Sequence, residues 1–311
     1  MVGDVINDVL VEPAGAVVAG ADNAASVRAR PGGSAANQAA WMGYLGLDVV
    51  FAGRVGRLDA EFHRLELARF GVSARLAVDD SLATGSIVVL VEADGERTMI
   101  TDRAANLRLV ASDVPSALLD EAALLHLTGY TLFEAGTRQV ALGLIEEARR
   151  RAIPFTVDPG SAAFLARLPP GDFIRWTEGA AVCFPNRDEA ATLTAGPDPA
   201  AMAASLARCY GVVALKLGPD GGLVATRDSR PLRFPAVASV PRDTTGAGDA
   251  FCAGFLAAGL SGAGLSGAGL SGAGLSGAGL TSAALAASRA AAAAVSLLGG
   301  RPPVPVAGSP G

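Results

Sequence analysis

From about residue 123 onward the chain alternates short apolar runs with amphipathic ones, and this rhythm constrains the fold more than any other feature. Strands are expected over 123–127, 153–157, 180–184 and 212–217, with helices over 137–151 and 199–210 between them and a hairpin strand over 223–226. Strands separated by helices pair in parallel, since the chain must cross back over the sheet to start each new strand. The expected architecture is therefore α/β, with a mostly parallel central sheet covered by helices on both faces. Polar groups gather where the strands end, at Asp158-Pro-Gly160, Pro185-Asn186 and Gly218-Pro-Asp-Gly-Gly222. That edge is where open α/β sheets bind ligands.

Upstream, Val2–Val11 reads as a strand carrying Asp4, Asn7 and Asp8 near its end, polar groups that need partners or a pocket. It begins almost at the first residue, abrupt for a buried first element, so a few residues are expected to precede it. Pro31-Gly-Gly-Ser-Ala-Ala-Asn37 opens an Ala-rich helix, and Asn37 on its first turns can both donate and accept, by local capping or by recognition. A further strand (49–52) and helix (60–70) follow. Thr84–Val91 and Arg97–Thr101 form a hairpin through Asp94-Gly95. With an excursion near 11–30, the segment 84–104 makes a small β-sheet lid on a single domain spanning 1–311. Residues 260–280 repeat Gly-Leu-Ser-Gly-Ala with period five, which fits neither helix nor strand. An irregular surface insertion is expected there, with loose helical continuation as the second reading. An Ala-rich helix over 281–298 closes the fold.

Composition removes several function classes. The net charge of −5 gives no basic surface for nucleic acid. Cys183, Cys209 and Cys252 form no metal-ligand pair, and the two histidines, His63 and His126, lie far apart; His126, within a strand, reads as core or edge. An odd cysteine count favours a reducing compartment, and neither a signal peptide nor a membrane span is apparent, so a cytoplasmic location is expected. The P-loop, dinucleotide and protein-kinase signatures are missing.

The stretch Asp243-Thr-Thr-Gly-Ala-Gly-Asp249 precedes an apolar helix. It can be a tight turn with an acidic cap, or an anion site in which unpaired first-turn amides face a phosphoryl group with Asp249 as base. Asn186 and Glu189 have the spacing of a capping box, and equally of a shell that orders magnesium through water. Gly218 and Gly221 suit either a plain hairpin or a close approach to a nucleotide.

Taken in order, Gly32-Gly-Ser-Ala-Ala-Asn37, Asn186-x-x-Glu189 and Asp243–Asp249 resemble the signatures of the ribokinase-like (PfkB) carbohydrate kinases over essentially the whole chain. The resemblance implies ATP- and Mg²⁺-dependent phosphorylation of a small sugar or sugar acid. It implies Asp249 as general base, with Gly246, Ala247 and Gly248 as the anion hole. Asp8, Gly32, Gly33 and Asn37 would contact acceptor hydroxyls. Asn186, Glu189, Lys216, Gly218, Gly221 and Thr244 would serve ATP and magnesium, and Asp243, Thr245 and Gly300 a possible K⁺. The run from Arg97 to Asn106 is similar to a segment of 2-keto-3-deoxygluconate kinases, in which Arg103 would read an acidic sugar. The other reading of Arg103 is a surface residue paired with Asp102 or Asp113. Ribose, fructose and nucleosides stand as alternative acceptors, and a non-catalytic sensor that kept the fold is the alternative class. Neither nucleic acid nor membrane is an expected partner, and a homodimer through the lid is possible. In place of the family's usual Gly-x-Asp rhythm after Gly56 stands Arg57-Leu-Asp59, and the five-residue repeat is no family feature.

Overall fold

The protein is described from a computed structural model covering residues 1–91, 97–227, 229–262 and 277–304. The Asp94-Gly95 turn and most of the five-residue repeat lie outside these residues.

The strands are β1 (Ile6–Pro13), β2 (Ala25–Gly32), β3 (Val49–Gly56), β4 (Val72–Asp79), β5 (Gly85–Val91), β6 (Arg97–Asp102), β7 (Leu125–Thr128), β8 (Phe155–Asp158), β9 (Val182–Cys183), β10 (Val212–Lys216), β11 (Gly222–Thr226) and β12 (Leu232–Phe234). The helices are α1 (Ser34–Tyr44), α2 (Ala60–Ala68), α3 (Ala135–Arg150), α4 (Ala162–Leu165), α5 (Asp172–Thr177), α6 (Arg187–Thr194), α7 (Pro199–Leu206), α8 (Ala247–Gly262) and α9 (Gly277–Val295). Strands β7 to β10 run parallel in sequence order, and β11 and β12 extend the sheet antiparallel. The parallel pair β3 and β4 joins them through Val2, which bridges Ala52 on one side and Leu127 on the other.

Alternation along the buried strands builds two cores. Val182, Phe184, Val212 and Ala214 face one way, with α1, α8 and α9. Cys183, Val213 and Leu215 face the other, with α3 and α7. Side chains two apart share a face, so one strand serves both cores. Helix α9 is the one helix among the described residues long and apolar enough to cross a membrane, but Ala283, Ala284 and Ala287 on it are buried in the core that also holds α8.

The second sheet has the order β2-β1-β5-β6. Here the expected strand over Val2–Val11 is corrected: it is two pieces. The chain leaves the central sheet at Asp4, whose backbone oxygen accepts from Ala36 N and whose carboxylate accepts from Ala35 N at 3.1 Å. Helix α1 starts on Gly33, which has no side chain to cap it, and Asp4 satisfies those orphan first-turn donors. From Ile6 the chain pairs with β2 and β5. At Gly33, with φ +92°, a Cβ would lie 2.7 Å from Asp4 O, so the position requires glycine.

Candidate active site

Two helix starts meet at the end of the central sheet. Ser34, Asn37 and Gln38 occupy positions i, i+3 and i+4 of α1 and so project from one face. Asp249, on the first turn of α8, receives all three. Its Oδ1 accepts from Ser34 Oγ at 2.8 Å and Gln38 Nε2 at 3.0 Å, and its Oδ2 from Asn37 Nδ2 at 3.2 Å. A carboxylate at a helix start is expected to be an ordinary ionised acid. Instead its pKa is pushed up to about 6, by burial first and then by Asp158, with the three hydrogen bonds acting against the rise.

Behind Asp249 runs a polar network in which sequence reasoning gave a site role only to Lys216 and marked Asp158 as a polar strand end. Gln38 Nε2 also donates to Asp158 Oδ2 at 2.7 Å, and Lys216 Nζ donates to Asp158 Oδ1 at 3.0 Å. His126 joins Gln38 Oε1 through Nε2 at 2.5 Å and Thr156 Oγ1 through Nδ1 at 2.6 Å. Burial lowers the His126 pKa to about 3, so the ring is neutral, and an amide oxygen can only accept. Nε2 therefore carries the proton, and Gln38 is held with its NH₂ toward the two carboxylates. The signal available beforehand was the i, i+4 spacing of Gln38 to Ser34 and the polar ends of β7 and β8.

The loop before α8 is closed from the far end of the chain. Asp243 accepts from Thr245 N and from Gly299 N, each at 2.8 Å. Gly246 has φ +76°, and a Cβ there would fall 2.5 Å from Gly300 Cα. Ala250 N bonds Gly246 O at 2.8 Å. Ala247, Gly248 and Asp249 therefore form the first turn, whose N–H groups have no acceptor within the helix, although Ala247 N donates back to Thr244 O at 3.3 Å. Lys216 Nζ lies beneath this turn, 3.6 Å from where a Gly248 Cβ would be. Burial works to lower its pKa, but Asp158, Cys252 and Glu189 carry it above the usual lysine range, so it is a cation.

The remaining expected residues fall around this centre. Asp8 lies over Gly32, its carboxylate within 2.0 Å of a Cβ built there. Its pKa is pushed up to about 7 by burial first and by Asp4, with Arg301 opposing. Asn7 is tied to Asp59, and Thr84 donates to the same carboxylate, so Asp59 braces β1 against β5. Asn186 and Glu189 form a reciprocal capping box at the start of α6, with Glu189 N donating to Asn186 Oδ1 at 2.9 Å. Glu189 is buried and its pKa rises to about 7, with Lys216 the main opposing influence. Gly218 and Gly221 bound the turn between β10 and β11, and Thr244 is exposed in the loop before α8.

Arg103 departs from the expected surface pairing. It is buried, ion-paired with Asp4 at 3.2 Å and stacked over the Tyr130 ring at 4.2 Å. Asp113 pairs with Arg54 instead, at 2.9 Å. Asp4 draws Arg103 inward because a buried carboxylate needs a counter-charge.

Mg²⁺ takes one or two carboxylates plus water and phosphate oxygens, not an all-protein cage. Among the described residues no three His, Cys, Asp or Glu side chains converge on a metal position. Glu189, its electrostatic field shared with Asp158 and Lys216, fits the role of ordering a metal's water shell.

Comparison with known proteins places this geometry. The description of the pfkB family carbohydrate kinases matches residues 1–307. The fructokinase of Klebsiella pneumoniae is 30% identical over 235 residues, 73% of this chain and 76% of that one. The adenosine kinase of Sinorhizobium meliloti superposes with a TM-score of 0.82 at 22% identity, over 97% of this chain and 94% of that one. A putative ribokinase II from E. coli, solved with ATP and Mg²⁺, superposes at 0.81 with 20% identity, over 96% and 92% of the two chains. With its two signature helix starts joined through one carboxylate, the chain belongs to the PfkB family of carbohydrate kinases, phosphotransferases with an alcohol group as acceptor.

Proposed function

We propose that the protein transfers the γ-phosphoryl group of ATP to a hydroxyl of a small sugar or sugar acid. The observation that carries this is Asp249, a carboxylate on the first turn of α8 oriented by three donors from α1. The acceptor hydroxyl faces Asp249, while Asp8 and Asn37 take its other hydroxyls. As the hydroxyl oxygen bonds to phosphorus and the bond to the ADP oxygen breaks, its proton passes to an Asp249 oxygen. Charge developing on the phosphoryl oxygens is met by the N–H of Gly248, by that of Ala247 on turning from its 3.3 Å bond to Thr244 O, and by Lys216 from below. A pKa near 6 leaves Asp249 ionised at neutral pH yet more basic than a free aspartate, which suits a late proton transfer.

Magnesium, when bound, supplies counter-charge along the donor phosphates; Glu189 and Asp158 are the carboxylates that would order its waters, with the Gly218–Gly221 turn as the nucleotide wall. A K⁺ beside Asp243, Thr245 and Gly300 belongs to the same proposal, supported by the way Asp243 joins the two loops under Gly246. The β2-β1-β5-β6 sheet acts as a lid that excludes water, and its exposed Val27, Met99 and Ile100 suit a homodimer contact. The reaction is placed in the cytoplasm, where ATP is available.

A panel of sugars, sugar acids and nucleosides with ATP and Mg²⁺, read by ADP release, tests the reading. No acceptor-dependent ADP from any member would favour the non-catalytic sensor. Asp249→Asn should lower kcat by about 10²–10⁴, the usual contribution of general base catalysis, while acceptor binding by calorimetry persists. Full kcat in that variant would remove Asp249 as the base.

A further inference from the structure

Arg301 enters the acceptor side of the site directly after Gly300, and its capacity for hydrogen bonding is largely unused. Nη2 lies 3.4 Å from Gly32 O, at the edge of a hydrogen bond. Nε and Nη1 are buried without a partner among the described residues. Donors on a charged group are expensive to leave unsatisfied, and such a group in a native structure needs an explanation. A second unpartnered buried atom, Asn37 Oδ1, lies against Gly300, the residue before Arg301, since a Cβ on Gly300 would fall 2.3 Å from Asn37 Nδ2 and 3.3 Å from Oδ1. Asp8 is the nearby carboxylate. It lies over Gly32, the residue Arg301 approaches, yet no ion pair joins Asp8 to Arg301 among the described residues. A buried guanidinium with two unpartnered nitrogens, and no ion pair to the nearby carboxylate, is free to take a ligand oxyanion.

The other arginines near this end of the sheet are engaged. Arg103 is held by Asp4 and Tyr130, and Arg54 by Asp79 and Asp113. Arg301 senses Glu66 of α2 and Asp8, Asp249 and Asp4 of the site, and burial lowers its pKa only to about 10, so it stays a cation at neutral pH. A guanidinium is a planar fork matched to two oxygens of one oxyanion, and such charge-assisted bonds are about twice as strong as neutral ones.

We propose that Arg301 is the specificity-determining cation of the acceptor pocket, and that it reads a carboxylate or phosphate on the part of the sugar remote from the hydroxyl that faces Asp249. The inference rests on the sugar kinase reading and narrows its acceptor to anionic sugars, with Arg301 in the role that sequence resemblance gave to Arg103.

The test uses the full chain with ATP and Mg²⁺ and two matched pairs of acceptors, gluconate with glucose and fructose 6-phosphate with fructose. Wild type, Arg301→Gln and Arg301→Lys are compared by kcat/KM and by calorimetric binding. Wild type should prefer the anionic member of at least one pair, and the pair that shows it names the oxyanion. In Arg301→Gln the anionic-to-neutral ratio should fall by about ten- to a hundredfold, the worth of a hydrogen bond to a charged group. Arg301→Lys, which keeps charge without the fork, should fall between and decides the matter if the glutamine variant does not fold. A ratio that is the same in all three proteins, or a wild type that prefers both neutral sugars, overturns the inference and leaves the kinase reading standing. Arg301-dependent binding of an anionic sugar with no ADP released from any acceptor supports the binding role and sinks the kinase reading instead.

Discussion

Replacing Gln38 by Leu tests how the proposed base, Asp249, is tuned. The side chain is buried, and its NH₂ serves Asp249 at 3.0 Å and Asp158 at 2.7 Å while its oxygen takes the His126 proton. Leucine keeps most of the volume and removes the amide, so Asp249 retains two of its three donors. A hydrogen bond to a charged group is worth about 1.5–3 kcal/mol, and one pKa unit corresponds to about 1.4 kcal/mol. Because Gln38 also serves the closer Asp158, the lower end applies to Asp249, or about one unit. The sign follows from which form loses the bond: the ionised carboxylate does, so the pKa rises. In wild type, activity that needs ionised Asp249 should be lost as pH falls through about 6. In Gln38→Leu the same acid limb of kcat/KM should sit about one pH unit higher. Initial rates from pH 4.5 to 9 with a saturating donor measure it, and a thermal melt controls for folding. If the rate drops equally at every pH while the acid limb stays in place, Gln38 does not tune the base and the electrostatic reasoning is refuted.

Gly246→Ala combines a left-handed φ with a Cβ 2.5 Å from Gly300 Cα. The αL penalty alone is about 1–2 kcal/mol, and shifting the loop should cost kcat about 10²–10³, as loss of an oxyanion donor does; unchanged kcat would remove this turn from the site. Arg103→Ala leaves Asp4 buried and unpaired, which should destabilise the fold by about 3–5 kcal/mol, read from urea unfolding. Under the reading of Arg103 as an acid-sugar receptor the same variant loses aldonic acceptors selectively, whereas a stability defect with an unaltered acceptor preference assigns the residue to holding Asp4.

The layered α/β arrangement was legible in the chain because its carriers are local. Strand length, helix period and glycine punctuation act over a few residues, and they place β7–β11 and α3 within a few positions of the expected bounds. The glycine-rich turn before α8 was legible for the same reason, since Gly246, Ala247 and Gly248 lie consecutively beside Asp249. What sequence reasoning could not supply were partners brought together from afar. The two-part path of Met1–Pro13 depends on Asp4 turning to cap α1. The Gln38–Asp158–Lys216 network joins three elements 58 to 178 residues apart, and the raised pKa of Asp249 follows from burial that only packing creates. Arg301 shows the difference most plainly. In the chain it is one arginine after two glycines; its meaning comes from burial that leaves Nε and Nη1 without a partner among the described residues, which has an energetic consequence it would not have in water.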